Sequence, residues 1–492
     1  MGCGILGLTD TLTDLIDPVN TWVWYAAFVF LIGLGILFTI KLKGLQILKI
    51  RETSKLALSG TNEGKHKSTV SSFEAFCIGL GARVGVGNIA GTAGAIAVGG
   101  PGAIFWMWVF AIIGSATSFM ESTLSQLFKE KKSDGGYHSG PAYYALKGLN
   151  KKWVANLAAI LIIITFGIGF VGVQASNSVD ALTSAFDLED YTIVFAAIIA
   201  IVAALIIFGG MKRIAVFSSK VVPAMAILWI VFCGITICLN YDGIINAFVM
   251  IFSYAFDAES IAGGLFGAVI IQGLKRGVFS NEAGLGSIAN IAGTADVKHP
   301  VKQGMIQSFG TLVDTLIVCS FTAVAILSFY PDYASIVATG LTKAPLVQEV
   351  LNGTFGTDLA GMLMSIFLVV FAFTSLIGYY SMSESNVRFI SDKKSTVFAV
   401  RVLVIVVAFV SCLAGVELME LICDTFMAFM GCVNMILVFL LSKLVYMAYD
   451  DWNRQKAEGI EEPVFHAEDL DDPRAENMTA WRREADQEPE EG

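Results

Sequence analysis

Residues able to handle a small charged solute are few in this chain, and they sit inside strongly apolar runs. Thr374 and Ser375 place two hydroxyl oxygens at one level of a helix, in a stripe with Phe371, Gly378, Tyr379 and Met382. Joined by backbone carbonyls, such hydroxyls make a neutral oxygen cage for a hard monovalent cation; equally, Ser and Thr in apolar helices bond back to their own backbone. Phe166, Phe170 and Gln174 share one helical face, Asn177 follows, and Gly169 opens space beside Phe170. An amide there either ties helices together or hydrogen-bonds a substrate, and the pattern suits both. Arg83, Glu121 and Asp314 are ionisable residues in apolar runs. Such residues mark a pathway by default, and structural pairing accounts for them as well as ligation does.

A glycine-crowded stretch, Gly81 to Trp108, is the natural partner of these side chains. Broken helix is tolerated at membrane depth only where it is buried in protein or lines a cavity. Gly85-Val86-Gly87-Asn88 reads as such a break. A half-helix beginning near Gly87 presents N–H groups and a positive dipole end to a carboxylate. Carbonyls at the end of the preceding half face a cation. A nucleotide-binding glycine loop is excluded, because no strand precedes the glycines and no βαβ unit surrounds them.

The elements that must position these groups are membrane helices. Hydrophobic residues make up 55% of the chain and charged residues 15%, with a mean hydropathy of +0.70. A soluble chain carries about 25% charge. Apolar runs of about 20 residues recur, and they predict spans near 21–40, 72–97, 101–128, 153–182, 191–209, 214–239, 258–279, 303–330, 360–383, 396–415 and 419–445. The first run has acidic residues before it and Lys41 and Lys43 after it, the wrong charge order for a cleaved signal peptide, so it reads as a retained span. Residues 1–17 read as a short amphipathic segment at the interface. Between 41 and 70, Leu45, Leu48, Ile50 and Leu56 could lay a helix on the membrane surface.

Alternate loops divide the basic residues 24 to 1, counting 41–70, 129–152, 212–220, 275–302 and 388–401 on one side and only Lys343 on the other. The positive-inside rule then puts the N-terminus outside and the C-terminus in the cytoplasm of a multi-pass cell-membrane protein. The net charge of −10 belongs wholly to residues 446–492, which hold 15 acidic and 5 basic residues. That tail reads as disordered.

A second glycine-rich span follows Asp257, with Gly263, Gly264 and Gly267. It is the sixth of ten spans counted from the second, so it runs opposite to the first. Paired broken spans in corresponding positions point to an inverted-repeat transporter with its site at the midplane. The expected fold is an all-α membrane protein of eleven transmembrane helices: one peripheral helix and a ten-helix core of two inverted five-helix repeats, its first and sixth helices broken. The domains read as 1–70 (interfacial segment, peripheral helix and linker), 71–445 (transporter core) and 446–492 (acidic tail). His66, His138, His299 and His466 all fall outside the spans. That favours a metal cation over a proton as coupling ion and leaves no nucleophile–base arrangement for an enzyme. The eight cysteines contain no CxxC pair, so neither a disulfide framework nor a metal site is expected.

Five motifs, VGVGNIAG, GGPGAIFWMW, GGMKRIAVF, RGVFSNEAGLGS and DTLIVC, resemble the alanine or glycine:cation symporter family, also called sodium:alanine symporters, across roughly residues 70–390. The resemblance implies a leucine-transporter-type fold and sodium-driven uptake of small neutral amino acids such as alanine or glycine, with a proton-coupled or exchange carrier on the same fold as the alternative. It implies a sodium site of the Gly81 and Val84 carbonyls with Thr374 and Ser375. It places the amides of Val86 and Gly87 on the substrate carboxylate, Asn88 on the ligand or the unwound stretch, and Gln174 and Gly169 in the pocket. Gly263 and Gly264 would receive the ammonium group. Val86, Leu265 and Tyr379 stand where the family usually has Thr, Phe and Trp, which suggests a substrate larger or more polar than alanine. Besides the substrate, Na+ and the lipid bilayer, no partner is implied: no nucleic acid and no obligate protein.

Overall fold

The computed structural model describes residues 2–59, 69–132, 135–208, 211–256, 265–414 and 416–483. The apolar runs become helices: α1 (Gly2–Lys41), α2 (Ser72–Arg83), α3 (Gly87–Gly99), α4 (Gly102–Leu127), α5 (Lys152–Phe186), α6 (Thr192–Ile207), α7 (Met211–Leu239), α8 (Ile244–Ala255), α9 (Leu265–Asn281), α10 (Ser287–Ala292), α11 (Pro300–Phe329), α12 (Lys343–Phe355), α13 (Leu359–Ile390), α14 (Lys394–Ala414) and α15 (Val416–Ala457). Among the described residues eight are long and apolar enough to cross a membrane, and α2 with α3 makes a ninth, bent by 49°. The only sheet there is a two-stranded hairpin, Glu130–Lys131 with Tyr137–His138.

Local chemistry sets the helix ends. Ser71 and Glu74 form a reciprocal capping box at the start of α2: Glu74 N–H donates to Ser71 Oγ at 3.2 Å, and Ser71 N–H to the Glu74 carboxylate at 2.9 Å. His299 caps α11, accepting from Val301 N–H at 3.2 Å, with Pro300 at the first helical position. The N-terminal residues do not form a separate interfacial segment, since α1 continues from Gly2 through Pro18 to Lys41 and packs on α4 and α15.

Two interruptions organise the centre. The first separates α2 from α3 at Val84–Val86. The second separates α9 from α10, where Glu282, Gly284 and Gly286 take φ of 56°, 86° and 79°. Half packs against half: α10 lies on α2, and α9 lies on α3. This second break corrects the sequence expectation. Gly263 and Gly264 lie outside the described residues, and Gly267 sits within α9. The segment 275–302 is likewise not one basic loop. Arg276 lies in α9 and shares Glu420 with Lys343, at 3.2 and 3.0 Å, so it belongs on the side of the fold opposite to the basic loops.

The acidic tail also departs from expectation. Phe465, Met478 and Trp481 are buried, and the chain through Arg483 is packed against helix ends. Trp481 Nε1–H donates to the Gln126 carbonyl at 2.7 Å, Phe465 N–H to the Lys298 carbonyl at 3.0 Å, and Asn477 to the Lys147 carbonyl at 3.0 Å.

Candidate functional site

Ending α2 at Arg83 strands the carbonyls of its last turn, and α13 supplies the partners. Ser375 Oγ lies 2.9 Å from the Gly81 carbonyl, 3.5 Å from that of Val84 and 3.1 Å from that of Phe371. Tyr379 OH donates to the Ala82 carbonyl at 2.8 Å. Thr374 points elsewhere, donating to Phe371 O at 2.9 Å with Met225 Sδ 3.6 Å away. The close approach of α13 needs small residues on both sides. A Cβ on Gly85 would stand 2.4 Å from Ser375 Oγ, and one on Gly378 would stand 3.1 Å from Ala82 Cβ.

The break is held by side chains rather than by helix geometry. Asn88 Oδ1 accepts from Gly85 N–H at 2.9 Å, and Gln174 Oε1 accepts from Val86 N–H at 3.2 Å. Gln174 Nε2 lies 3.5 Å from Tyr379 OH. Gly87 opens α3, and its missing side chain faces the Phe279 ring at 3.1 Å and Ser280 Cα at 3.5 Å. Phe166 and Phe170 stack at 4.6 Å, Phe170 stacks on Phe279 at 4.8 Å, and Tyr379 leans on Phe166 and Phe170 at 5.1 and 4.9 Å. These rings form one cluster, and Phe279 brings it against Gly87. Val86, Asn88, Gln174, Ser375 and Tyr379 are each at most 2% exposed, so the site is closed from both sides.

The three ionisable residues singled out in the sequence each serve a break. Arg83 reaches across to the second one, donating to Asn281 O at 2.9 Å, to Gln307 O and Oε1 at 3.1 and 3.2 Å, and to Ser118 Oγ at 2.9 Å. The Asp314 carboxylate accepts from Asn88 at 2.7 Å, Ser280 at 2.6 Å and Thr315 at 3.1 Å. The Glu121 carboxylate accepts from Gly286 N–H at 2.9 Å and from Asn434 at 2.8 Å. Charge-assisted bonds of this kind are about twice as strong as neutral ones, and they fix backbone that no helix ladder holds.

The structure thus brings together Gly81, Val84, Val86, Gly87, Asn88, Gln174, Ser375 and Tyr379. Gly169 turns its open side to the Cys423 backbone, with Cys423 Cα 3.0 Å from a built Cβ. Leu265 opens α9, and its side chain lies outside the described residues. Sequence reasoning missed Phe279, Ser280 and Asn281. Their signal is present in Asn281-Glu-Ala-Gly-Leu-Gly286, a turn-rich run that reads as the start of a loop. Among the described residues no group of three or more His, Cys, Asp or Glu could hold a metal ion. A cation here would therefore be met by carbonyls and hydroxyls.

The family model described as the sodium:alanine symporter family matches residues 9–467. A probable sodium/glutamine symporter, GlnT of Bacillus subtilis, is 43% identical, covering 94% of this chain and 95% of that protein. The sodium/alanine symporter AgcS of Methanococcus maripaludis is 34% identical over 88% and 95% of the two chains. A sodium/proton-dependent alanine carrier protein of Bacillus sp. PS3 is 35% identical over 81% and 91%. Among solved structures, MhsT in complex with L-phenylalanine superposes with a TM-score of 0.55 at 14% identity, covering 84% of this chain and 95% of that one. That likeness shows the leucine-transporter-type fold.

Proposed function

The chain belongs to the sodium:alanine symporter family, and from that premise we propose that it imports small neutral amino acids, up to the size of glutamine, by sodium-coupled alternating access. The observation that carries the proposal is the convergence of Ser375 Oγ on the stranded carbonyls of Gly81 and Val84. These oxygens come from two different helices, so a cation among them would tie α2 to α13. Thr374 joins the set by rotating away from its own helix, where its hydroxyl now bonds back to Phe371.

The substrate lies beside Gly87, its carboxylate on the N-terminal turn of α3 and its side chain against Phe170, Phe279 and Tyr379. Gln174 already holds Val86 N–H, so substrate binding exchanges that bond or uses Gln174 directly. Val86 and Tyr379 remain the basis for a substrate larger or more polar than alanine. On the other side of the site, a small pocket of about 40 Å³ is lined by Ile78 of α2, Asn290 and Ile291 of α10, and Tyr380, Glu384 and Arg388 of α13. It marks the start of the exit, where Asn290 on its wall accepts from Asn386 of α13 at 2.9 Å. We count α6 and the α9–α10 pair as the tenth and eleventh crossings, with the N-terminus outside and the basic loops in the cytoplasm.

One charge moving through ~100 mV releases ~2.3 kcal/mol, which concentrates solute roughly fortyfold per sodium. Proteoliposome uptake of labelled alanine and glutamine, with and without a sodium gradient, tests the proposal; sodium-driven uptake of either supports it, and uptake of neither overturns it. One observation favours proton coupling as a second reading. The Glu282 carboxylate is fully buried at the second break, and neither of its oxygens has a hydrogen-bond partner among the described residues. Uptake driven by a pH gradient in sodium-free medium, and lost in Glu282→Gln, would select that reading.

A further inference from the structure

We propose that the groove where the end of α1 meets the end of α15 binds the headgroup of an anionic phospholipid. The apolar run of α1 stops at Lys41, and left-handed residues Lys43 (φ 54°) and Gly44 (φ 65°) turn the chain sharply. Lys41 before the turn, Lys43 in it and Lys49 after it therefore line one groove, whose far wall carries Tyr446, Tyr449 and Asp450 of α15. Three lysines face Asp450, with Glu52 beside Lys49. Lys49 is placed by Asn453 Oδ1 at 2.7 Å, by the Tyr449 ring at 5.4 Å and by Glu52 at 3.9 Å. Lys41 and Lys43 are exposed and have no hydrogen-bond or ionic partner among the described residues.

The surroundings choose between a lipid and a free anion. Ile40 is 67% exposed, Ile47 53% and Leu48 79%, and all flank the lysines. Inorganic phosphate would satisfy the lysines and leave these side chains in water. A phospholipid satisfies both, its phosphate among the lysines and its acyl chains along the outer face of α1. Basic pockets between helices at the headgroup level are sites of this kind. The groove also accounts for the surface-lying segment that follows α1. The exposed apolar residues of that segment extend the membrane-facing surface past the span. The inference rests on the membrane placement of the helices and not on the transported solute.

Native mass spectrometry of the purified full chain in micelles holding equal phosphatidylglycerol and phosphatidylcholine tests it. Wild type is expected to retain phosphatidylglycerol preferentially. Lys41→Gln/Lys43→Asn should lower that retention at least about fivefold, Asn being a residue that accepts the left-handed turn. Lys151→Gln/Lys152→Gln, at another exposed basic site, should leave it unchanged, and excess inorganic phosphate should not compete. Equal retention of the two lipids by wild type would overturn the proposal. So would an equal loss in both double variants, no loss in the first, or full competition by phosphate. Lys43→Asn alone, at an exposed turn, gives a smaller loss in the same direction if the double variant fails to fold. The readout needs no transport, so it stands or falls apart from the sodium assay.

Discussion

At Gly85 the backbone of the first break and the hydroxyl of Ser375 compete for one space. A Cβ at position 85 would stand 2.4 Å from that oxygen and 3.1 Å from Gln174 Nε2. Gly85→Ala is expected to cost about 1–3 kcal/mol of stability as an overpacked core substitution and to abolish uptake. Adding Ser375→Ala should restore part of the stability but none of the transport. Thermal denaturation of the two variants, read beside uptake, checks this; equal destabilisation in both would contradict the contact. Asp314 makes a second residue-scale case. Asp314→Ala removes the carboxylate acceptor of the Asn88 amide and the Ser280 hydroxyl and leaves them only the weaker Cys319 Sγ and the position-314 carbonyl, at a cost of about 1–3 kcal/mol. Uptake should fall with stability, whereas a variant of normal stability and activity would show that Asn88 orders the break unaided.

At the scale of elements, the two breaks show what a single sequence reveals and what it conceals. The first was legible because clustered glycines and an asparagine weaken an apolar helix unless the chain is meant to open there. The second is built from Asn281, Glu282, Gly284 and Gly286 directly after Lys275 and Arg276, and such a run reads as a solvated loop. It is buried only because Arg83, Glu121 and Asn434, all distant in sequence, satisfy its backbone. The tail misled in the same way. Its charge indicated disorder, yet Phe465, Met478 and Trp481 anchor it, and Lys129 is sandwiched between the rings of Tyr137 and Trp481 at 4.1 and 4.4 Å. His299 lies beneath it against Phe465 and Trp452, with Asp451 3.3 Å from Nε2. Burial pushes the His299 imidazole below its ordinary range, against the pull of Asp451. The neutral form is also the one that caps α11 through Nδ1. Because the packed imidazole binds its proton less readily than a solvated one, packing is strongest above pH ~6.5 and weakens as pH falls through the solvated value. Limited proteolysis of the tail should therefore quicken as pH falls from about 7.5 to 5.5. His299→Asn, which can still cap the helix, should flatten that dependence, and an unchanged slope would remove the role given to His299.

For the whole molecule, the placement of Arg276 shifts two basic residues, Lys275 and Arg276, away from the cytoplasmic side, leaving 22 against 3. The asymmetry still sets one orientation. Asp242 and Lys151 lie in exposed loops predicted to face opposite compartments. Asp242→Cys should react with a membrane-impermeant thiol reagent in intact cells, and Lys151→Cys only after the cells are opened; the reverse would invert the topology. In the proposed orientation, the Arg276–Glu420–Lys343 cluster, which joins α9, α15 and α12, would close the outer side, and the pocket beside Asn290 and Arg388 would face the cytoplasm.

We propose the broken end of α2 and the hydroxyls of α13 as the coupling-ion site. The sodium dependence of amino-acid uptake in proteoliposomes, compared between wild type and Thr374→Ala/Ser375→Ala, tests it most directly. Losing both hydroxyl ligands should raise the sodium concentration for half-maximal uptake at least about tenfold, corresponding to ~1.4 kcal/mol, or abolish uptake in a variant that remains folded. An unchanged sodium dependence would contradict the account.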